Sequence, residues 1–177
     1  QEYLDWTRTV PRLFNSLPVI EWNINKSYLR DLAFHSIPIA PTIWIQTGAQ
    51  ANVADALDQL QTTTGFLKPL VGACVSDTLR FNTDEIEQAQ SFLDERSNQE
   101  MMIQPYLRSV ESEGELSAIF VGWEFTHGVQ KIPVAGDYRV QDDFGAEDRP
   151  YSFTPEEIHT MKNIFHHVPD GESLLYA

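Results

Sequence analysis

A short apolar run with one charge inside it constrains this chain more than any other feature. Phe66-Leu67-Lys68-Pro69-Leu70-Val71 leads directly into Gly72-Ala73-Cys74-Val75-Ser76-Asp77-Thr78, a stretch of small and hydroxyl residues. The run reads as a short buried strand that places an ammonium beside a flexible turn. Gly72 and Ala73 let main-chain amides approach a bound group closely, and Ser76 and Thr78 add hydroxyl donors. A cation, amides and hydroxyls gathered in one turn suit a polyphosphate. A lysine that merely snorkels out beside a turn is the plainer alternative for this stretch taken alone.

The charge balance makes that lysine informative. Lys and Arg total 12 against 26 Asp and Glu, a net charge of −14 over 177 residues. Such an acidic chain argues against nucleic acid or an anionic membrane surface as partner. If it binds an anion, it must gather its few cations locally. The hydrophobic fraction of 42% supports a real core. Cys74 is the single cysteine, so no internal disulfide can form, and a reducing compartment fits. Without a signal-peptide pattern or a long apolar run, the expectation is a soluble cytoplasmic protein. Gln1 and Ala177 both look like cut ends, so a longer protein is expected.

Taken in order, residues 2–17 carry apolar positions that predict a helix ended by Pro18, with Pro11 as a kink. Asn25 predicts an N-cap for a helix from Lys26 to His35, which sets Lys26 against the helix dipole. A proline-stiffened connector over 37–42 precedes a strand at Ile43-Trp44-Ile45. Residues 51–61 have helical spacing. After the Lys68 strand, Asn82 and Glu85 at capping-box spacing open a second amphipathic helix to Ser97. Met101 to Leu107 reads as a strand broken by Pro105, whose exposed main-chain groups could read a flat heterocycle. A polar loop over 108–114 follows, then a hairpin of 116–121 and 124–132 about Gly122-Trp123. Gly136 to Gln141 reads as a strand and 142–150 as an acidic loop. Thr154-Pro155-Glu156-Glu157 opens a helix that Pro169-Asp170-Gly171 stops, before a final strand. The alternation predicts an α+β chain of two layers in sequence, with the seam near Met101 to Tyr106.

Several of these features stand together in one order: Trp22-Asn23-Ile24-Asn25-Lys26, Ile37-Pro38-Ile39-Ala40-Pro41-Thr42, Lys68 to Thr78, Ile103-Gln104-Pro105-Tyr106-Leu107, Gly114-Glu115-Leu116-Ser117 and Gly136-Asp137-Tyr138-Arg139-Val140-Gln141. That ordered set resembles the ATP-grasp superfamily, in particular its glutathione-synthetase-like and cycloserine-biosynthesis cyclo-ligase-like members, over nearly the whole chain. The resemblance implies two α+β subdomains clamping a nucleotide. It puts the end of a preceding region at 1–25, the first subdomain at 26–101 and an incomplete second subdomain at 102–177.

It also implies roles. Lys26 and Lys68 match the lysines that reach the α- and β-phosphates. The loop over the phosphates matches Gly72 to Thr78, including Ala73, Ser76 and Thr78, though it lacks a second glycine. The hinge that reads adenine matches Gln104, Pro105, Tyr106 and Leu107, with Gln104 placed for the exocyclic amine. Glu111 matches the ribose carboxylate by spacing, with Glu113 as competitor, and Arg139 matches the arginine facing the transferred phosphate. The cofactors implied are ATP and Mg²⁺, with the magnesium ligands expected on strands beyond Ala177 and none within the chain. Asp142 and Asp143 read as a solvated loop.

The activity implied is an ADP-forming ligase that joins a small carboxylate, amino-acid- or peptide-like, to an amine through an acyl-phosphate. An ATP-binding module without ligase activity is the alternative, and phosphotransfer to another acceptor is a third. A homodimer is compatible with any of them. His159 and His166 share a helix face but lack zinc spacing and read as solvated; His35 and His127 read as structural. Cys74 has no partner histidine in view and reads as a small buried side chain.

Overall fold

The computed structural model describes residues 2–72 and 77–177. Contacts divide the chain into two units. One comprises Asn25–Leu29 and Pro38–Leu107; the other comprises 2–24, Arg30–Ile37 and Arg108–Ala177.

The first unit is built on an antiparallel sheet of four strands, β1 (Ile43–Ile45), β2 (Thr64–Pro69), β3 (Leu79–Asn82) and β4 (Met101–Pro105), in the order β1-β4-β2-β3. Leu67 pairs with Ile103 on one side and Leu79 on the other, and Lys68 pairs with Met102. Side chains alternate across a strand. Gly65, Leu67 and Pro69 of β2 are therefore buried, while Thr64, Phe66 and Lys68 are half-buried on the other face. The buried face packs Ile45, Leu67, Phe81, Met101 and Ile103 against α4 (Val53–Gln59) and α5 (Ile86–Asp94) through Val53, Leu57, Ala89 and Leu93. Asn52 caps α4 by accepting from the amides of Ala54 and Asp55. The expected Asn82–Glu85 capping box is present, around a short 3₁₀ turn that leads into α5.

Gly65 has a packing reason. A Cβ there would lie 2.5 Å from the Phe81 ring, which fills the space a side chain would take. Strand β3 was not foreseen in the sequence. Four residues with two apolar positions are a weak period-2 signal beside a strong capping box.

The second unit carries α1 (Glu2–Thr7), α2 (Leu17–Asn23), α6 (Ser109–Glu113) and α7 (Pro155–Phe165), with an antiparallel sheet of β5 (Glu115–Val121), β6 (Glu124–Ile132) and β7 (Glu147–Tyr151). Helix α3 (Tyr28–Phe34) contributes residues to both units. The hairpin turns at Gly122 and Trp123, both with positive φ (56° and 69°), as a two-residue hairpin of this twist requires. Phe120, Phe165 and Leu174 form the core with Trp123, Phe125 and Met161 beside them, and the Phe120 and Phe165 rings meet edge-on at 5.0 Å. Thr154 and Glu157 close the expected capping box of α7.

Several expectations are corrected here. Pro18 opens a helix instead of ending one: it sits in the first turn of α2, where no N–H is needed. The helix expected from Lys26 starts at Tyr28, so Lys26 precedes it. Residues 109–113 form a short helix, stopped by Gly114 at φ 77°, where a Cβ would collide with the Lys131 carbonyl. Gly136 to Gln141 is not a strand. Its amides are taken locally, since the Asp137 carboxylate accepts from the main-chain N–H of Tyr138 and Arg139. Part of the expected acidic loop is instead the edge strand β7, where charges and Pro150 are tolerated because one side needs no partner. The expected last strand is reduced to a single bridge between Val121 and Tyr176. Strand β4, expected at the seam, pairs with both β1 and β2 and lies inside the first sheet.

Candidate nucleotide site

The face of the four-stranded sheet turned away from its helices carries several of the candidate residues. Across it run two rows of cross-strand neighbours: Trp44, Met102 and Lys68, then Gln104, Phe66 and Arg80. Lys68 Nζ lies 5.9 Å from the Phe66 ring centroid, at the outer limit of a cation–π contact.

Lys26 reaches the same stretch of chain. Its amide donates to the Leu70 carbonyl at 2.9 Å, and its Nζ donates to the Gly72 carbonyl at 2.8 Å. Just before it, the Asn25 side chain accepts from the Ser27 amide and shapes the turn. Two lysines far apart in sequence are thus brought to the segment 68–72. Burial pushes the Lys26 ammonium below the ordinary lysine pKa, because one carbonyl replaces only part of its water.

Of the loop expected to cover the phosphates, Gly72 is exposed and Thr78 half-buried. Ala73, Cys74 and Ser76 lie outside the described residues. Where the loop rejoins the sheet, Asp77 stands 3.6 Å from Arg96 at the end of α5.

The hinge residues follow from β4. Gln104 is 8% exposed, and its side-chain amide donates to the Thr42 hydroxyl at 2.8 Å, tying β4 to the 37–42 connector. Pro105 sits opposite Gly65 at the end of the ladder, and the Tyr106 amide donates to the Thr64 carbonyl at 2.9 Å. Leu107 is 52% exposed, a large apolar side chain left in solvent at the end of the hinge.

Glu111 and Arg139 belong to the other unit. Glu111 is exposed on α6, and the competing Glu113 accepts at its carbonyl from Gln130. Arg139 is forked onto Asp137 through Nε and Nη2 (2.6 Å for the latter), and its guanidinium lies 3.9 Å from the Phe144 ring centroid. Nη1 makes no hydrogen bond among the described residues, so one edge of the fork is spare. The Arg139 guanidinium, helped by the Arg139 and Tyr138 amides, holds the Asp137 carboxyl well below the usual carboxylate range. A depressed folded value means the carboxylate's contribution is complete above the ordinary value, about 4, and is lost only as pH falls through the lower one. The Asp137 carboxyl resonance should therefore titrate below that of an ordinary exposed aspartate. Titration at the ordinary value would mean the fork does not persist in solution.

Asp142 and Asp143 are exposed in a 3₁₀ turn, and among the described residues no three His, Cys, Asp or Glu lie close enough to hold a metal ion. His35 and His167 stack at 4.3 Å, and His166 packs against Trp123. Sequence reasoning passed over Arg80. The Leu-Arg-Phe-Asn alternation of β3 was the available signal.

No family model matches the chain. Among solved structures, it matches the ATP-grasp ligase PsnB complexed with minimal precursor, Mg and ADP, with a TM-score of 0.62 and 14% identity, over 98% of this chain and 49% of that one. It also matches D-cycloserine synthetase DcsG, with a TM-score of 0.80 and 23% identity, over 98% of this chain and 60% of that one. The chain therefore has the ATP-grasp fold. Within it, the chain is similar to the cycloserine biosynthesis protein DcsG of Streptomyces lavendulae, 31% identical over 127 residues, 69% of this chain. It spans 42% of the length of that curated relative.

Proposed function

We propose that the chain is the nucleotide-binding part of an ADP-forming ligase that joins a small carboxylate to an amine. The observation that carries this reading is the convergence of Lys26 and Lys68 on the segment 68–72, on the same unit as the 104–107 hinge. In an acidic chain, one lysine drawn to the end of a strand that carries another is the expected provision for a polyphosphate.

The lysines hold the α- and β-phosphates, and the loop from Gly72 through Ala73 and Ser76 to Thr78 covers them. The Gln104 side chain gives its NH₂ to Thr42, which leaves its oxygen as the acceptor for a base amine. Pro105, Tyr106 and Leu107 supply the main-chain edge and an apolar wall. Glu111, or Glu113, accepts from the ribose hydroxyls, and the spare edge of Arg139 faces the transferred phosphate. The substrate carboxylate attacks the γ-phosphate, ADP leaves, and an amine displaces phosphate from the acyl-phosphate. Positioning and charge neutralisation carry the catalysis, so no protein nucleophile is required. ATP is the cofactor, and Mg²⁺ accompanies it without a step assigned to it here. The substrate is amino-acid- or peptide-like, as the names of the relatives suggest. Among the described residues no helix is long and apolar enough to cross a membrane. A cytoplasmic location and a homodimer are part of the proposal.

The test is ADP release by the full-length protein, measured with ATP and Mg²⁺ while single amino acids and dipeptides are added. Release that depends on the added carboxylate and amine is expected. Tight ATP binding with no ADP from any pair would favour a non-catalytic binding module. A stable phosphorylated acceptor would indicate phosphotransfer.

Lys26 gives a pH signature. Unliganded, its pKa is lowered by burial; a phosphate beside it stabilises the ammonium and raises the value. Between the two values, binding takes up a proton. Calorimetry at about pH 10, in two buffers of different ionisation enthalpy, should show more proton uptake with wild type than with Lys26→Met.

A further inference from the structure

Strand β3 alternates sharply. Phe81 is buried in the core, while Arg80 is exposed on the opposite face, directly across from Phe66, which is itself directly across from Gln104. The Arg80 guanidinium lies 4.8 Å from the centroid of the Tyr106 ring. Tyr106 is therefore held at its amide by Thr64 of β2 and at its ring by a cation from β3. A planar guanidinium on an aromatic face keeps its edge donors for other partners, and the contact strengthens when water is excluded from it.

We infer that Arg80 is a positioning residue for the base and ribose side of the nucleotide site: by holding the Tyr106 ring against β3 it fixes the 104–107 main chain that meets the purine. The inference rests on the nucleotide reading above. A phosphate ligand and a hinge support predict different things. A cation that bound phosphate would matter for any polyphosphate and not for a bare nucleoside. A cation that sets the hinge would matter equally for adenosine and ATP, and not for a ligand without a base.

The experiment measures the binding of adenosine, ATP and inorganic tripolyphosphate to the full chain, by displacement of a fluorescent ATP analogue. It compares wild type with Arg80→Gln, Arg80→Lys, Tyr106→Leu and the Gln/Leu double variant. Arg80→Gln should weaken adenosine and ATP by the same factor, roughly tenfold, and leave tripolyphosphate unchanged. Arg80→Lys should recover part of the loss. The double variant should be no weaker than the worse single one, since both remove the same contact. Loss for ATP and tripolyphosphate but not for adenosine would overturn the inference, as would independent losses in the double variant or no change at all. Arg80→Gln alone decides through the adenosine-to-tripolyphosphate comparison if Tyr106→Leu does not fold. Wild type binding none of the three would sink the nucleotide reading itself, before any variant is compared.

Discussion

Lys68→Ala should lower the affinity for ATP and for ADP alike by about 2–3 kcal/mol, the value of a hydrogen bond to a charged group. That is roughly a thirtyfold to 150-fold loss. The two nucleotides should suffer equally because the position is assigned to phosphates they share. The fold should be little affected. Lys68 stands on the half-buried face of β2, opposite the core face of Leu67, Phe81 and Ile103. Titration calorimetry with both nucleotides, beside a thermal melt, checks both halves. Equal loss with an unchanged melt is expected; wild-type affinity in the variant would remove Lys68 from the site.

Phe81→Ala should do the reverse. Phe81 is 1% exposed in the core of the four-stranded unit. Truncating a buried phenylalanine costs about 3–5 kcal/mol, part lost transfer energy and part cavity. Here the cavity would open beside Gly65, which has no side chain to fill it, and beside Leu57. Urea unfolding should show the loss. Adding Gly65→Ala to Phe81→Ala should return some of the stability, whereas Gly65→Ala alone should cost some, because its methyl meets the ring in wild type. Additive losses in the pair would contradict the packing described. Phe81 and Arg80 are adjacent in the chain, yet one should change stability and the other ligand binding. The pleat of β3 decides which.

How much of this could be read from residues alone follows from what each signal depends on. The Asn82–Glu85 and Thr154–Glu157 capping boxes and the Gly122-Trp123 hairpin are local chemistry, complete within a few residues, and all three are present. The Lys68 strand was legible because its apolar run is dense. The misread segments are those where side chains outbid the main-chain pattern. Asp137 takes the amides that a strand over 136–141 would need, and β7 is too charged to look like a strand until β6 is placed beside it. Pro18 carries the same physics as an opener or a terminator, and nothing local chooses between them. The Lys26–Gly72 contact was not legible from pattern, because it is long-range; the expected clash with the helix dipole and the resemblance pointed to Lys26 but not to its partner. Arg80 was carried by no motif, and its place on the same face as Phe66 and Gln104 appears only once β2, β3 and β4 are in register.

The most direct measurement is a crystal structure of the full-length protein with a non-hydrolysable ATP analogue. It should place the α- and β-phosphates within hydrogen-bonding distance of the Lys26 and Lys68 ammonium groups, and the purine edge against the main chain of 104–107. A nucleotide bound elsewhere, with neither ammonium group near its phosphates, would contradict the assignment.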